Sequence, residues 1–352
     1  MAYTTIPKST AYFDTLLWTG NSSSDSGTQD ITGLNFQPDF MWNKTRGVAE
    51  NYILTDVLRG TNSFLRSNST GAAYNPTNCY QIPLANGFRA QGDEGGEFNY
   101  TNFTYATWNW KANGAGATNE AGSINTIKTS VSTTSGFSIS QWVGTGSNAT
   151  IGHGLGVTPK CFIVKKTSGT SAWSVYHESV GNTKFLNLNG TGEPTTGSTV
   201  WNNTSPTSSV FSVGTADNGN ASGATYIGYF FAEIQGYSKF ASYVGNGSND
   251  GSFIYTGFKP AFVLIRGTEL PAGVDWYIFD SKREGYNLND TELQPNNSGI
   301  ESTDQTSIDI LSNGFKCRNS NGNTGGNGEP YIYLAFASEP LVSTNGNAAT
   351  AR

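Results

Sequence analysis

The sequence has 352 residues, a formal charge of −6 and an isoelectric point near 5.0. Only 13% of the residues are charged, about half of the roughly 25% that is usual in globular proteins, whereas 13% are aromatic. The acidic balance gives no basic field for a phosphate backbone, which argues against nucleic-acid binding. The aromatic content suffices for several packed cores, and the composition is typical of secreted β proteins and of viral shells and fibres.

The N-terminal segment from Met1 to Trp18 lacks the basic and apolar regions of a signal peptide. No window approaches the roughly 18 consecutive apolar residues of a membrane-spanning helix. The three cysteines, Cys79, Cys161 and Cys317, are far apart in sequence and cannot all pair. We therefore expect isolated buried thiols, and neither a disulfide framework nor a metal site.

Along the chain, one pattern of landmarks occurs three times. Each copy opens on an aromatic residue that is followed two positions later by Gly, and then reaches a proline in front of an apolar run. The opening residues are Trp18, Trp142 and Tyr243, and the prolines are Pro38, Pro159 and Pro260. The prolines are 121 residues apart (159 − 38) and then 101 residues apart (260 − 159).

Later landmarks keep the same order in each copy. A short run ends at an Asp or His, a turn with a Phe follows, and an alternating aromatic run closes the copy. The short runs are 52–56, 173–177 and 276–280, and the closing runs are 105–111, 226–232 and 331–337. Five landmarks repeated three times in one order indicate an internal repeat.

The apolar runs are four to seven residues long, rich in β-branched and aromatic residues, and bounded by Gly, Asn, Pro or Ser. These features predict strands, and the many Asn-Gly pairs predict tight hairpins. The best helix candidate, residues 280–287, is one or two turns at most. We therefore predict an all-β protein of three tandem antiparallel β-sandwich domains with jelly-roll-like wiring, and leave the strand order open.

The landmarks divide the chain into five segments. The three repeats span residues 1–113, 136–236 and 237–340. Residues 114–135 are small and polar, so we expect a flexible linker or an extended arm. Residues 341–352 form a C-terminal tail. The junction between the second and third repeats is short and carries aromatic residues, so these two repeats should pack rigidly.

Several motifs carry a family resemblance. They are the aromatic-x-Gly-Asn-Gly opening, the Gly-Phe-x-Pro-x-Phe strand, the Ser-Asn-Gly-Phe-Lys turn, and the ends that begin at Asn109 and Tyr331. Together they resemble uncharacterised, repeat-built proteins of marine bacteriophages, of the cyanophage and pelagiphage type. The resemblance covers almost the whole chain. It implies a virion-associated protein such as a tail fibre, a spike or a capsid decoration, and it supplies no catalytic motif.

Few side chains suggest catalysis or metal binding. His153 and His177 have no second ligand at a suitable spacing, so we interpret both as structural. The loop that contains Asp93, Glu94 and Glu97 is most simply a solvated hairpin tip. Paired glycosidase carboxylates and a Ca²⁺ site are the alternatives there, and ion binding stays open. We predict no catalytic residue, no cofactor and no metal ligand.

Aromatic side chains are the best candidates for ligand contact. Trp108 and Trp110 alternate on one strand, where a core-facing stripe is favoured over a sugar-binding face. Trp201 lies in a polar stretch and is the better candidate for an exposed contact. These three tryptophans are the predicted ligand-binding residues.

The leading interpretation is a non-enzymatic structural protein on the surface of a phage particle, most simply a tail fibre or spike that adheres to host glycans. We expect other virion proteins as partners, a homotrimer as the assembly, and neither nucleic-acid binding nor membrane insertion. A capsid decoration or cement protein is the alternative, and a carbohydrate-active enzyme is a distant third. A fibre usually has an N-terminal attachment domain or a trimeric coiled coil, and neither is recognisable in the sequence.

Overall fold

The computed structural model describes residues 3–22, 27–269, 273–303, 306–340 and 342. In this part of the chain, helical structure is limited to a 3-10 turn at Ser9–Ala11, α1 at Ser198–Trp201 and α2 at Asp217–Asn220. The all-β prediction is therefore confirmed. In the helix candidate at 280–287, Asp280 ends a strand and residues 281–287 form turns and bends, so the helical turns are absent there. The reason is local, because the carboxylate of Asp280 accepts the backbone N–H groups of Lys282 and Arg283 and turns the chain.

The described residues of the first third of the chain, up to Trp110, form eight strands. They are β1 (Phe13–Thr19), β2 (Thr28–Thr32), β3 (Phe40–Thr45), β4 (Ile53–Asp56), β5 (Gly60–Leu65), β6 (Tyr80–Leu84), β7 (Gly87–Gln91) and β8 (Thr104–Trp110). A five-stranded sheet has the order β1-β8-β3-β4-β5, and a three-stranded sheet has the order β2-β7-β6. All pairs in these sheets are antiparallel.

The second third contains nine strands. They are β9 (Lys128–Ser132), β10 (Phe137–Val143), β11 (Ala149–Gly152), β12 (Cys161–Lys166), β13 (Ser174–His177), β14 (Lys184–Asn187), β15 (Thr195–Thr196), β16 (Val210–Val213) and β17 (Thr225–Phe231). The large sheet has the order β15-β14-β13-β12-β17-β10-β9, and β11 pairs with β16 in a second sheet.

Where the structure describes it, the last third of the chain, from Ser238, has seven strands. They are β18 (Ser238–Val244), β19 (Phe253–Tyr255), β20 (Phe258–Gly267), β21 (Tyr277–Asp280), β22 (Ile308–Leu311), β23 (Gly314–Cys317) and β24 (Pro330–Pro340). A four-stranded sheet has the order β18-β24-β20-β21, and a three-stranded sheet has the order β19-β23-β22. In the described residues, no helix is both long enough and apolar enough to cross a bilayer.

The same strand order recurs in all three thirds. The large sheets contain β1-β8-β3-β4, β10-β17-β12-β13 and β18-β24-β20-β21. Their registers also agree, because Phe40 lies opposite Trp110, Cys161 opposite Phe231, and Phe262 opposite Phe336. This order matches a jelly roll in its first, third and last strands, whereas the fourth strand stays beside the third. The domain boundaries themselves stay predictions.

A tyrosine at or near the start of each closing strand makes the same two hydrogen bonds in every third. Its hydroxyl donates to the carbonyl nine positions earlier and accepts the N–H five positions earlier. The sets are Tyr105 with Gly96 and Tyr100, Tyr226 with Asp217 and Ala221, and Tyr331 with Gly322 and Gly326. The Tyr landmark of the sequence therefore fixes the loop that leads into the last strand.

The predicted linker is part of a sheet. Strand β9 pairs antiparallel with β10, from Ser132 opposite Phe137 to Lys128 opposite Gln141. The start of the segment is held by Asp39, whose carboxylate accepts the N–H of Gly114 at 3.1 Å. Residues 128–132 of the predicted linker thus form a sheet edge and are not flexible, and the extended arm stays the prediction for the rest of the segment. The predicted tail at 341–352 lies outside the described residues apart from Val342.

Neighbouring residues on β3 and on β12 point into different cores. Met41 belongs to a local core between the two sheets of the first third, and Phe162 belongs to the corresponding core of the second. Phe40, Cys161 and Phe262 instead join one large cluster that draws on all three thirds. Burial on both faces explains why these strands are nearly continuous apolar runs.

The three large sheets meet on an aromatic axis. Trp110, Phe231 and Phe336 occupy equivalent positions in the closing strands. Their ring centroids are 6.5 Å apart for Trp110 and Phe231, 5.7 Å for Phe231 and Phe336, and 5.6 Å for Trp110 and Phe336. Residues at equivalent sequence positions thus contact one another where the three sheets meet, and we call this line of contact the axis.

Buried cations close the ring around this axis. Lys44, Lys165 and Arg266 occupy equivalent positions and are at most 1% exposed. Each donates to a backbone carbonyl of a neighbouring third: Lys44 to Ser298, Lys165 to Thr70, and Arg266 to Gly192. The first third thus contacts the last, the second contacts the first, and the last contacts the second.

Candidate functional site

The tryptophans that the sequence indicated as ligand contacts are buried. Trp201, Trp108 and Trp110 are 1%, 0% and 2% exposed. Trp201 ends α1 and packs edge-on against Phe162, with ring centroids 5.0 Å apart. Trp108 and Trp110 face the axis. Each apolar ring is enclosed by other side chains, so none of the three offers a face on which a sugar from solvent can stack.

The acidic loop of the first third is tied into the fold. Glu97 is buried, and its carboxylate accepts hydrogen bonds from Arg66 at 2.8 Å, from the hydroxyl of Tyr74 at 3.0 Å, and from Asn51. This residue is therefore not at a solvated hairpin tip. The described residues contain no group of three His, Cys, Asp or Glu side chains arranged to hold a metal ion.

Both histidines are buried and hydrogen-bonded at both ring nitrogens. In His177, Nδ1 accepts the N–H of Ser179 at 3.2 Å, so Nε2 carries the proton and faces the carbonyl of Tyr333 at 3.4 Å. His153 is bonded in the same way to Leu155 and Thr207. Burial lowers the pKa of each histidine to about 4. Both rings are therefore neutral structural groups, and the three cysteines are buried without disulfides.

Acid should destabilise the protein through these histidines. The pKa of His177 is about 4 in the folded chain, below its ordinary value of about 6.5, so the unfolded chain binds more protons between these pH values. The stabilisation is complete above pH 6.5 and is lost as the pH falls towards 4, on the order of 3 kcal/mol for one histidine. We expect His177→Gln to have a shallower dependence of the free energy of unfolding on pH, measured by urea denaturation.

The buried carboxyls Asp14 and Asp39, whose pKa values burial raises, titrate in the opposite sense. They are present in both proteins, so their contribution cancels in the difference between His177→Gln and the natural chain. Parallel stability curves for the two proteins would contradict a neutral, buried His177.

Strand β19 exposes two aromatic side chains on one face. Phe253 and Tyr255 are 49% and 50% exposed, while Ile254 between them is 5% exposed. This alternation follows from the strand geometry, in which successive side chains point to opposite faces. Ile254 packs into the core, so the two aromatic rings stand on the outer side of the sheet β19-β23-β22.

The equivalent positions in the other thirds are not aromatic. Ile31 is the counterpart of Ile254 in β2, where Asp30 and Thr32 are its neighbours. Ile151 is the counterpart in β11, where the neighbours are Thr150 and Gly152. The exposed aromatic pair is therefore specific to the last third, whereas the buried Ile is shared.

Two cross-strand rows extend from the aromatic rings. Phe253 lies opposite Lys316, which lies opposite Asp309. Lys316 pairs with Asp250 at 2.5 Å, and Arg318 lies 3.5 Å from both Asp250 and Asp309. Charged hydrogen-bonding groups thus border the apolar rings. We call Phe253, Tyr255, Lys316, Arg318 and the two aspartates the aromatic face.

The second cross-strand row has no side chain at its middle position. Tyr255 lies opposite Gly314, which lies opposite Leu311. Gly314 is required there because a Cβ atom would lie 2.0 Å from the carbonyl oxygen of Ile254. The hydroxyl of Tyr3 lies 3.5 Å from that of Tyr255 and donates to the carbonyl of Gly257 at 2.6 Å, which fixes a third aromatic ring beside the face.

A family described as a domain of unknown function, DUF7483, matches residues 8–340. The chain belongs to the DUF7483 family. The match includes all the described strands and the whole aromatic face, whereas Tyr3 beside that face lies outside the matched residues. No functionally curated protein matches this DUF7483 chain.

The aromatic face gives this DUF7483 protein a surface suited to carbohydrate. Aromatic rings stack on the apolar faces of sugars, and carboxylate, ammonium and guanidinium groups bond to sugar hydroxyls. Exposed apolar side chains that lie together and are rimmed by polar groups mark interaction sites. Phe253 and Tyr255 meet both conditions, which the three predicted tryptophans do not.

Sequence reasoning did not single out this face. Phe253-Ile254-Tyr255 has the alternation of an ordinary strand, and nothing in that segment alone distinguishes exposed from buried rings. The available signal was the comparison between copies, in which Asp30 and Thr150 occupy the place of Phe253.

Proposed function

We propose that this chain is a structural protein of a bacteriophage virion, of the tail fibre or spike type, that adheres to glycans of the host surface. The observation that carries the proposal is the aromatic face, a pair of half-exposed rings bordered by Lys316, Arg318 and aspartates. The phage assignment rests on the sequence resemblance. Other virion proteins are the proposed partners, and the particle surface is the proposed location.

The shared core and the low charge of the chain support a structural role on the surface of a phage particle. The three large sheets share one core, and each third of the chain is bonded to both of the others, so no third is attached by a single contact. The surface carries few charges, and polar contacts between neutral groups are little affected by salt. A homotrimer, the expected assembly of a phage fibre, is part of the proposal.

The aromatic face provides the first test. We expect the double variant Phe253→Ala/Tyr255→Ala to bind host cells and their purified surface polysaccharide at least about tenfold more weakly, because two stacking contacts are lost. Surface substitutions of this kind change the stability by no more than about 0.5 kcal/mol, so the melting temperature should hardly move. Binding is measured by biolayer interferometry on immobilised polysaccharide.

Tyr100→Ala is the matched control, because Tyr100 is also a partly exposed aromatic residue, at 39%, but lies in the first third. It should bind like the natural chain. Equal polysaccharide binding by all three proteins would remove the aromatic face from the proposal.

Labelling of intact particles with an antibody against this chain separates adhesion from decoration. Label at the tail tip or along the tail fibres is the expected result. Label spread evenly over the head would instead support the capsid decoration alternative, and would overturn the fibre assignment while leaving the virion assignment intact.

A further inference from the structure

The first third contains a cavity, partly open to solvent, that is enclosed by its two sheets, the turn between β4 and β5, and residues 114 and 115. The cavity has a volume of about 220 Å³ and a mostly apolar lining. Met41 and Thr55 line it from the large sheet, and Gln81 and Pro83 line it from the small sheet. It lies away from the aromatic face, which belongs to the last third.

The corresponding positions of the other thirds hold aromatic rings. Thr55 lies directly opposite Met41 in the register of β3 and β4. The equivalent pairs are Phe162 with Tyr176, and Val263 with Phe279. The first third therefore has a small hydroxyl side chain where both of its counterparts have a six-membered ring, and all three positions are buried.

The second third shows how this space is filled when rings are present. Tyr176 stacks on Phe162 with centroids 4.5 Å apart, and Trp201 packs perpendicular to both. Trp201 comes from α1, in the segment between β15 and β16. In the first third, the corresponding segment carries Tyr74, but that ring packs on Phe64.

Polar groups are fixed at the cavity wall. The hydroxyl of Thr55 donates to Gln81 Oε1 at 2.7 Å. Gln81 and Asn43 are paired through both of their amide groups, at 2.8 and 3.0 Å. These hydrogen bonds hold the side chains of the wall in place. The Gln81 amide has a second N–H and the Thr55 oxygen has acceptor capacity, so both can also bond to a ligand in the cavity.

We propose that this cavity binds a planar aromatic ring that carries one polar group, such as an indole or a phenol. Apolar cavities of about 150 Å³ bind benzene, so the larger volume here suits a ring of indole size. The ring would take the place that Tyr176 and Trp201 occupy in the second third, with its polar group towards Gln81 and Thr55. The source is either a free aromatic compound or an aromatic side chain of another protein.

Indole binding to the full chain tests the proposal. We expect saturation by indole in isothermal titration calorimetry with the natural chain, and at least a tenfold weaker affinity in Thr55→Phe, which introduces the residue found at Phe279. Thr55→Val keeps the side-chain volume but removes the hydroxyl, so it should bind indole more weakly than the natural chain and more tightly than Thr55→Phe. A second filling variant, Met41→Phe, introduces the residue found at Phe162 and should also weaken binding.

Circular dichroism melts of each variant show whether it is folded. No indole binding by a folded natural chain would overturn the proposal, and so would equal binding by folded Thr55→Phe and Met41→Phe. The acetylated peptide Ser-Thr-Val-Trp, a copy of α1, distinguishes the two sources. Competition between this peptide and indole supports a protein side chain, whereas binding of indole alone supports a free compound.

Discussion

Asp56→Asn is expected to destabilise the protein by about 3–5 kcal/mol, because it leaves a buried arginine without its counter-ion. Asp56 and Arg59 form an ion pair at 2.6 Å, and their side chains are 0% and 2% exposed. A cation enclosed by protein cannot regain the hydration that it lost on folding. Removal of its partner therefore lowers the stability by the full cost of an unpaired buried charge.

The geometry around this pair explains the size of the effect. Arg59 also donates to the carbonyls of Ser63 and Leu54, at 2.6 and 2.9 Å, so its guanidinium is fixed and cannot turn towards water. Asp56 accepts the hydroxyl of Tyr229 at 2.8 Å, which joins the first third to the second. The substitution therefore disturbs both a turn and a contact between thirds.

Asp280→Asn should lower the free energy of unfolding by less than Asp56→Asn does, although the two positions are equivalent. Asp280 pairs with Arg283 at 2.6 Å, but Arg283 also lies 3.3 Å from Glu301, so one carboxylate remains after the substitution. Asp30→Asn, in the exposed pair with Arg89, should leave the unfolding midpoint almost unchanged, because water screens this pair. Free energies of unfolding from urea titrations give the order of the three variants.

The double variant Asp56→Asn/Arg59→Met provides a further check. Replacing the cation with an apolar side chain removes the unpaired charge, so part of the lost stability should return. A double variant that is less stable than Asp56→Asn alone would show that the packing of Arg59, and not its charge, dominates.

Strands and their repetition were accessible from the sequence because both depend on local signals. Apolar runs such as the one at Phe262 end at Gly, Asn or Pro, and hairpin turns require residues that tolerate positive φ, as at Gly87. The continuous apolar character of the third strands also indicated burial on both faces. The core-facing interpretation of Trp108 and Trp110 agrees with their complete burial.

The residues that cover a buried face cannot be predicted from the sequence near that face. The inner faces of the large sheets pack on one another, and no residue near Trp110 in sequence indicates Phe231 or Phe336 as its neighbour. The same limit applies to Trp201, whose polar sequence surroundings suggested exposure, whereas Phe162 covers it. Residues 114–135 looked like a linker because β9 is short and polar, and its place beside β10 is set by the open edge of that strand.

The shared core also determines whether a single repeat can fold by itself. We expect a fragment of residues 1–113 not to fold by itself, and to lack a cooperative thermal transition. Its local core contains Trp18, Met41 and Phe88, but its second apolar face would be open to water. That face includes Phe13, Phe40 and Trp110, each of which is at most 3% exposed in the full chain.

The first third contributes six aromatic side chains to the shared core. Burying each contributes about 1.5–3 kcal/mol, so opening all six costs about 9–18 kcal/mol, as much as the net stability of a typical domain, about 5–15 kcal/mol. The full chain should by contrast unfold in one transition, because each third completes the core of the others. Near-ultraviolet circular dichroism of the fragment is the measurement. A cooperative melt of the fragment would mean that the local core alone sustains a sandwich, and that the axis only joins three stable domains. Its absence, together with a single transition of the whole chain, would mean that the three thirds fold as one unit.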